Sequence, residues 1–489
     1  MNRGWSLGEL VACGAASAFA GFFADDWIGA AAVLTLWLVW KYMRDADGLP
    51  IVAMALSFQW MQVTVGIWYV AVTGRHLDAM DLSDYRPMVL IGLGCVLALT
   101  AGLHAGWRIA AGWGRQTTTS HTALRVTWPT LAALYVASLA AQGLLQEVAF
   151  DYPSLTQAIL AFRFAHLAVL FIVLRRLTRP TIRVPFVLGI VGLEILLGLT
   201  QYFAGFRDPL IMVMVAMFEV FDRRRLHHWV IVAAAAIVLS VTSVMWIGIR
   251  GAYRADIDAE VFTQSGASKI DTISALSKRW VHQSGEDMYV DLDMLLNRLW
   301  VVYYPALAVS RVPSILPHTH GSMLLATIEH VASPRVFFPT KADLQSDSDL
   351  VRKYSGVNVA GAEQNTSIAF GYAAEMYIDF GVPAMFLPIF AFALLMGIAY
   401  EELRRRIHHD ELRRGLLAVV FWLSFYIFER SLAKTVGLAG TLLVYLAVPA
   451  LLLDNYLNRF DQVVPEEQDP ESEEEDSERE AMLRAWHSR

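Results

Sequence analysis

Residues 229–249 read WVIVAAAAIVLSVTSVMWIGI, an apolar run without a single charge. Arg223, Arg224 and Arg225 precede it, and Arg250 and Arg254 follow in IGIRGAYR. A hydrocarbon core about 30 Å thick needs roughly 20 apolar residues per helical crossing, and this run supplies one. Working outward, comparable runs lie near 8–24, 27–43, 50–72, 87–106, 129–148, 157–174, 184–204 and 208–221 before it. Three more follow near 371–399, 415–434 and 436–454. With no water in the bilayer core, backbone groups must bond within their own segment, so each run is expected to be a helix. The expected fold is an all-α integral membrane protein of about twelve transmembrane helices.

Composition agrees. Of 489 residues 56% are hydrophobic and only 17% charged, where soluble domains run about 45–50% and about 25%. Mean hydropathy is +0.44. These values exclude an ordinary soluble enzyme, a disordered chain and a disulfide-built secreted domain. The two cysteines, Cys13 and Cys95, sit in apolar runs and lack CxxC spacing. The net charge of −7 is an average over unlike parts. Residues 461–489 hold 11 acidic and 3 basic side chains, a net −8, which leaves the remainder at +1. No general basicity toward nucleic acid remains, and the acidic tail is expected to be disordered.

The basic residues of the short loops orient the helices. With the N-terminus in the cytoplasm, 17 Lys/Arg fall on that side: Lys41, Arg44, Arg108, Arg115, Arg125, Arg175, Arg176, Arg179, Arg183, Arg223–Arg225, Arg404–Arg406, Arg413 and Arg414. Five fall on the other: Arg75, Arg86, Arg207, Arg430 and Lys434. Both termini are then expected inside, and residues 1–249 form nine helices. Residues 250–370 form one large outer loop carrying short amphipathic helices, such as 296–312 and 321–338. Residues 371–460 form the last three helices. Matched halves, the mark of most transporter folds, are absent from the sequence.

Ionisable residues inside spans are costly and therefore informative. Arg163 and His166 fall in the outer half of the sixth span, and Arg207 and Asp208 at the seventh-to-eighth junction. Arg250 and Arg254 end the ninth, Glu375 lies in the outer half of the tenth, and Glu429, Arg430 and Lys434 end the eleventh. Arginine forks bind phosphate oxygens bidentately and stay charged. Arg207, Arg250, Arg254, Arg430 and Lys434 are therefore the expected diphosphate ligands, with Arg163 as a further substrate contact. Each taken singly is equally read as a side chain snorkelling to the interface or paired with Asp208 or Glu429. Glu375, or His318 and His320 of LPHTHGS, are the candidate bases, with Glu329, His330 and Glu363 nearby. A helix-capping or paired role is the competing reading for Glu375, and a solvated one for the histidines. Asp291 and Asp293 form a DxD tripeptide, which also arises by chance.

The stretch 334–397 adds a resemblance. It reads PRVFFPTK and then TSIAFGYAAEMYIDFGVPAMFLPIFAFALLMG. Pro334, Arg335, Thr366, Ser367, Gly371, Ala374, Glu375, Tyr377, Asp379, Phe380 and Gly381 resemble the pattern of Wzy-type oligosaccharide repeat-unit polymerases of O-antigen and exopolysaccharide pathways. The resemblance covers the end of the loop and the tenth span; elsewhere it is one of topology. It implies a GT-C-like lipid-sugar transferase of the bacterial inner membrane. The substrates it implies are undecaprenyl-diphosphate-linked oligosaccharides at the periplasmic face, with Arg335 added to the diphosphate ligands and Ser367 and Tyr377 to the substrate contacts. No metal and no cofactor are implied; membrane lipid, a flippase and a chain-length regulator are the implied partners, and nucleic acid is not. An O-antigen ligase-like transferase is the alternative, and a transporter of lipid-linked sugar a more distant one.

Overall fold

Long uncharged runs have one economical way to satisfy their backbone, the intrahelical hydrogen bond. The computed structural model is accordingly helical from end to end of its described residues. These are 6–463 apart from 25–26, 44–48, 75–84, 114–121, 123, 152–155, 180–181, 200–206, 220, 222–224, 260–265, 335–336, 339, 342–343 and 365. The expected disordered tail from 464 onward and Arg335 lie outside them. Within them the sole β-type pairing is one isolated bridge between Thr122 and His409.

Among the described residues nine helices come first: α1 (Leu7–Phe23), α2 (Trp27–Met43), α3 (Ile51–Thr73), α4 (Arg86–Trp113), α5 (Trp128–Asp151), α6 (Thr156–Thr178), α7 (Val184–Leu199), α8 (Arg207–Glu219) and α9 (Leu226–Ala259). The polar stretch then folds into α10 (Gly266–Val281), α11 (Gly285–Leu299), α12 (Tyr303–Arg311), α13 (Ser322–Ala332) and α14 (Asp347–Ser355). Of the short helices expected there, 321–338 contains α13, whereas 296–312 is divided at 300–302 between the end of α11 and α12. The last part contains α15 (Gly371–Phe380), α16 (Phe386–Arg406), α17 (Asp410–Phe425), α18 (Leu432–Leu442) and α19 (Val448–Val463), with a π-helical turn at Leu443–Ala447 joining the last two.

Among the described residues six helical stretches are long and apolar enough to cross a membrane: α3, α4, most of α6, His228–Tyr253 of α9, α16, and Leu432–Arg459 through α18 and α19. That is the make-up of a multi-pass membrane protein. α1, α2 and α7 are apolar but shorter.

The boundaries differ from expectation in the last third. The run 371–399 is two helices, because Gly381 takes φ 65° and Pro383 lacks an amide to continue the ladder. This leaves α15 outside the crossing helix α16. The run 415–434 is also broken, between Tyr426 and Ser431.

Packing fixes the two ends of the bundle. α4 and α16 form its most extensive helix pair. Gly102 and Gly106 lie against the α16 backbone and Gly397 against Leu103, so small residues set the close approach. At the end where α16 passes to α17, Arg175 bonds Glu219 (2.8 Å) and Asp410 (2.5 Å). Arg414 bonds the same two acids at 2.9 Å each, and Arg176 bonds Glu411 (2.5 Å). Asp454 of α19 accepts both the amides and the ring nitrogens of His408 and His409, at 2.8–3.0 Å. Several cations counted for orientation are thus also tertiary ties among α6, α8 and α17.

Candidate functional site

The opposite end holds the two helix breaks, side by side. Broken backbone inside an apolar bundle must find partners, and α3 supplies them from two buried glutamines. Gln59 Nε2 donates to the Phe425 carbonyl and Gln62 Nε2 to that of Tyr426 (2.7 Å), while Gln62 Oε1 accepts from the Phe428 amide (3.0 Å). From the other side the Tyr372 amide donates to the Arg430 carbonyl (2.9 Å), and the Tyr372 hydroxyl to Gln59 Oε1 (2.7 Å). Gly371, at φ 88°, lets α15 begin directly against this segment: a Cβ there would stand 2.5 Å from the Phe428 carbonyl oxygen.

Glu375, 5% exposed, accepts the Leu432 amide on Oε2 at 2.9 Å, at the first turn of α18. Burial pushes its carboxyl up to about 8. The Leu432 bond opposes this, the charges of Asp347 and Asp379 add to it, and Lys434 opposes it.

Glu375 lines a cavity of about 460 Å³ between α13, α14 and the start of α18, within the size range of small-ligand sites. Ser367 and Lys434, both expected at the site, line it too. Lys434 Nζ lies 2.5 Å from Asp347 Oδ2 and 3.0 Å from Ser367 Oγ, and Ser367 Oγ lies 3.2 Å from Asp347 Oδ2. Asp347, Lys353 and Ser431 also line the cavity, and the sequence reading did not single them out. The only prior signal for Ser431 was its place as a hydroxyl residue just ahead of an apolar helix.

The motif residues around Glu375 hold the wall together. Asp379, 0% exposed, accepts the Thr319 hydroxyl and the Met323 and Leu324 amides (3.1 and 2.8 Å), so it caps α13. Tyr377 gives its hydroxyl to the Val312 carbonyl (3.0 Å). His318 packs its ring edge against Tyr377 and sets Nδ1 3.2 Å from the Ile378 carbonyl. His320, at φ 52°, is exposed and donates its amide to the Asp379 carbonyl (2.9 Å). It is Thr319 between them that lines the cavity.

The expected cations do not converge at the cavity; among the described residues only Lys434 of that set lines it. Arg430 donates to the Leu423 carbonyl (2.6 Å) and lies over the Tyr426 ring, closing the C-terminus of α17. Arg163 is half-buried on α6 in the field of Asp208. Arg250 is half-buried on α9. Arg207 opens α8 and Arg254 lies on α9, with side chains outside the described residues. Glu363 is held low by its own amide first and then by Arg352, and it is exposed. Asp291 accepts from Trp280 (2.7 Å) and Gln283 (2.9 Å), and Asp293 from Tyr69 (2.7 Å), so both DxD carboxylates serve packing. Among the described residues no three His, Cys, Asp or Glu side chains gather as a metal site.

A second polar group, which the sequence reading left aside except for His166, is buried among α5, α6 and α7. Tyr135 donates to Glu194 (2.6 Å), whose Oε1 also lies 3.0 Å from His166 Nε2, and His166 Nδ1 lies 2.8 Å from Ser138 Oγ.

Compared with family models, with characterised proteins and with solved structures, the chain matches none. What stands is a class: a helical, multi-pass membrane protein with a polar cavity built where helices break.

Proposed function

We propose that the chain is a membrane glycosyltransferase that polymerises oligosaccharide repeat units carried on undecaprenyl diphosphate. In this reading the cavity faces the periplasm from the bacterial inner membrane, the helices make about twelve crossings, and both termini are cytoplasmic. The observation that carries the reading is Glu375: a buried carboxyl, tuned near 8, on the wall of a polar cavity at the loop end of the bundle. A base with that value accepts a proton from a sugar hydroxyl without being permanently ionised. The acceptor hydroxyl loses its proton to Glu375 as its oxygen bonds the donor's anomeric carbon. The anomeric C–O bond to phosphate breaks, and the lipid diphosphate leaves with the electron pair.

Deleting the gene and sizing carrier-linked glycans tests this. Single repeat units on the carrier are expected. Long chains stranded on the carrier identify a ligase instead, and an unchanged glycan profile rejects the transferase reading.

The carboxyl itself makes a pH prediction. At pH 7 only about a tenth of Glu375 is ionised, so turnover should climb as pH rises through about 8. Glu375→Gln should lower the rate by about 10²–10⁴ and flatten the profile. Stability moves the other way. Between the ordinary 4.5 and about 8 the folded chain keeps a proton that the unfolded chain has lost. Wild-type stability should therefore fall as pH rises across that window, and the glutamine variant should lose this slope. An unaltered pH–rate profile in the variant would remove Glu375 from the chemistry.

A further inference from the structure

The cavity contains a group that nothing among the described residues satisfies. Ser431 is 3% exposed, its Oγ has no hydrogen-bond partner among them, and it lines the cavity. It occupies the N-cap position of α18, where a serine ordinarily accepts a backbone amide, yet it makes no such bond. A buried hydroxyl without a partner is unfavourable, and its presence on a cavity wall points to a ligand that completes it.

The surroundings define the ligand's chemistry. An α-helix begins with amides that have no intrahelical acceptor and with the positive end of its dipole. In the first turn of α18 the Leu432 amide is taken by Glu375, and Ala433 and Lys434 stand on the cavity wall beside it. The Lys434 ammonium has three donors; Asp347 and Ser367 engage two of them, which leaves the third for a ligand. Lys353 comes from α14 on the facing wall. The acidic groups are Asp347, already held by Lys434 and Ser367, and Glu375, kept largely neutral at pH 7 by burial. A hydroxyl donor, two ammonium groups and a helix N-terminus suit phosphate oxygens.

We propose that this cavity binds a phosphate-bearing ligand through Ser431, Lys434 and Lys353 at the N-terminus of α18. The assignment deepens the transferase reading, on which the identity of the ligand as a lipid-linked donor rests. It moves the phosphate site from the arginines of the helix ends to a serine and two lysines.

The test uses the full chain in nanodiscs of zwitterionic phosphatidylcholine and calorimetric titration with inorganic pyrophosphate. Saturable binding is expected. Lys434→Ala should weaken it by at least about tenfold, and Ser431→Ala on the order of tenfold. Ser431→Ala should leave the melting temperature unchanged or raised, because the hydroxyl it removes bonds nothing in the ligand-free protein. A melting temperature that falls, or pyrophosphate affinity equal in wild type and both variants, overturns the proposal, as does a failure to bind. Farnesyl diphosphate added in competition separates the sources. Displacement of pyrophosphate assigns a lipid-borne diphosphate, and intact pyrophosphate binding without displacement assigns free phosphate. Pyrophosphate binding alongside an unchanged glycan profile on gene deletion would keep the phosphate site and sink the transferase. Accumulated single units without pyrophosphate binding would do the reverse.

Discussion

Asp379→Ala is expected to destabilise the protein by on the order of 3–5 kcal/mol and to abolish the activity proposed for the cavity. The carboxylate is fully buried and accepts the Thr319 hydroxyl together with the first amides of α13. Alanine leaves all three part-buried donors without their acceptor, and it releases the turn that carries Thr319 and Ser322 onto the cavity wall. Loss of a single contact would be a local matter, but here three elements lose their common anchor. Asp379→Asn keeps one acceptor oxygen and should fall between the two. Thermal melts and limited proteolysis of purified protein report the outcome, with cleavage between α13 and α15 as the specific sign. A variant that melts like wild type would show that water replaces the carboxylate and that the cap is dispensable.

Gly106→Val is expected to deplete folded protein from the membrane. A Cβ at this position runs into the carbonyl oxygen of Leu394 and approaches the Ile398 amide to 2.8 Å. The obstacle is backbone, which cannot turn aside as a side chain can, so α4 and α16 must separate. Overpacking ordinarily costs about 1–3 kcal/mol; a forced separation of the most extensive helix pair belongs above that range. Gly112, on the same helix, has open space around its Cβ position. Gly112→Val therefore serves as the control and should accumulate normally. Fluorescence-detected size exclusion of both variants decides the matter, and equal recovery would mean that the pair tolerates a wider spacing.

Both sites bear on what could be read beforehand. The apolar runs announced the helices. Glu375, Ser367 and Lys434, singled out by their company in sequence and by their depth, line one cavity. Of the expected arginines whose side chains are described, Arg163, Arg250 and Arg430, none lines the cavity, because a span boundary reports depth and says nothing about rotation around the helix axis. Arg430 illustrates the point: it lies at the expected level yet turns to the Leu423 carbonyl. The break after α15 carried a visible sign in Gly381 and Pro383, which the uniform apolarity of 371–399 overrode. The break at Tyr426–Ser431 carried no Gly or Pro at all. Its partners are Gln59 and Gln62, separated by 366 and 364 residues from the carbonyls they bond. The acids Glu219 and Asp410 went unremarked because counting basic residues ignores what they bind.

Those two glutamines have a bearing on inheritance. They behave as a two-residue stand-in for a neighbouring strand, offering amide groups where the chain opposite has stopped pairing with itself. Their spacing of three puts both on one helix face, so α3 carries a printed template for a loop it is not near in sequence. Descendants of this chain can therefore regularise the 426–431 segment only by changing α3 as well, and can lose either glutamine only by healing the break. The two regions are expected to change together, since losing either glutamine leaves backbone groups of the 425–428 segment without their partner.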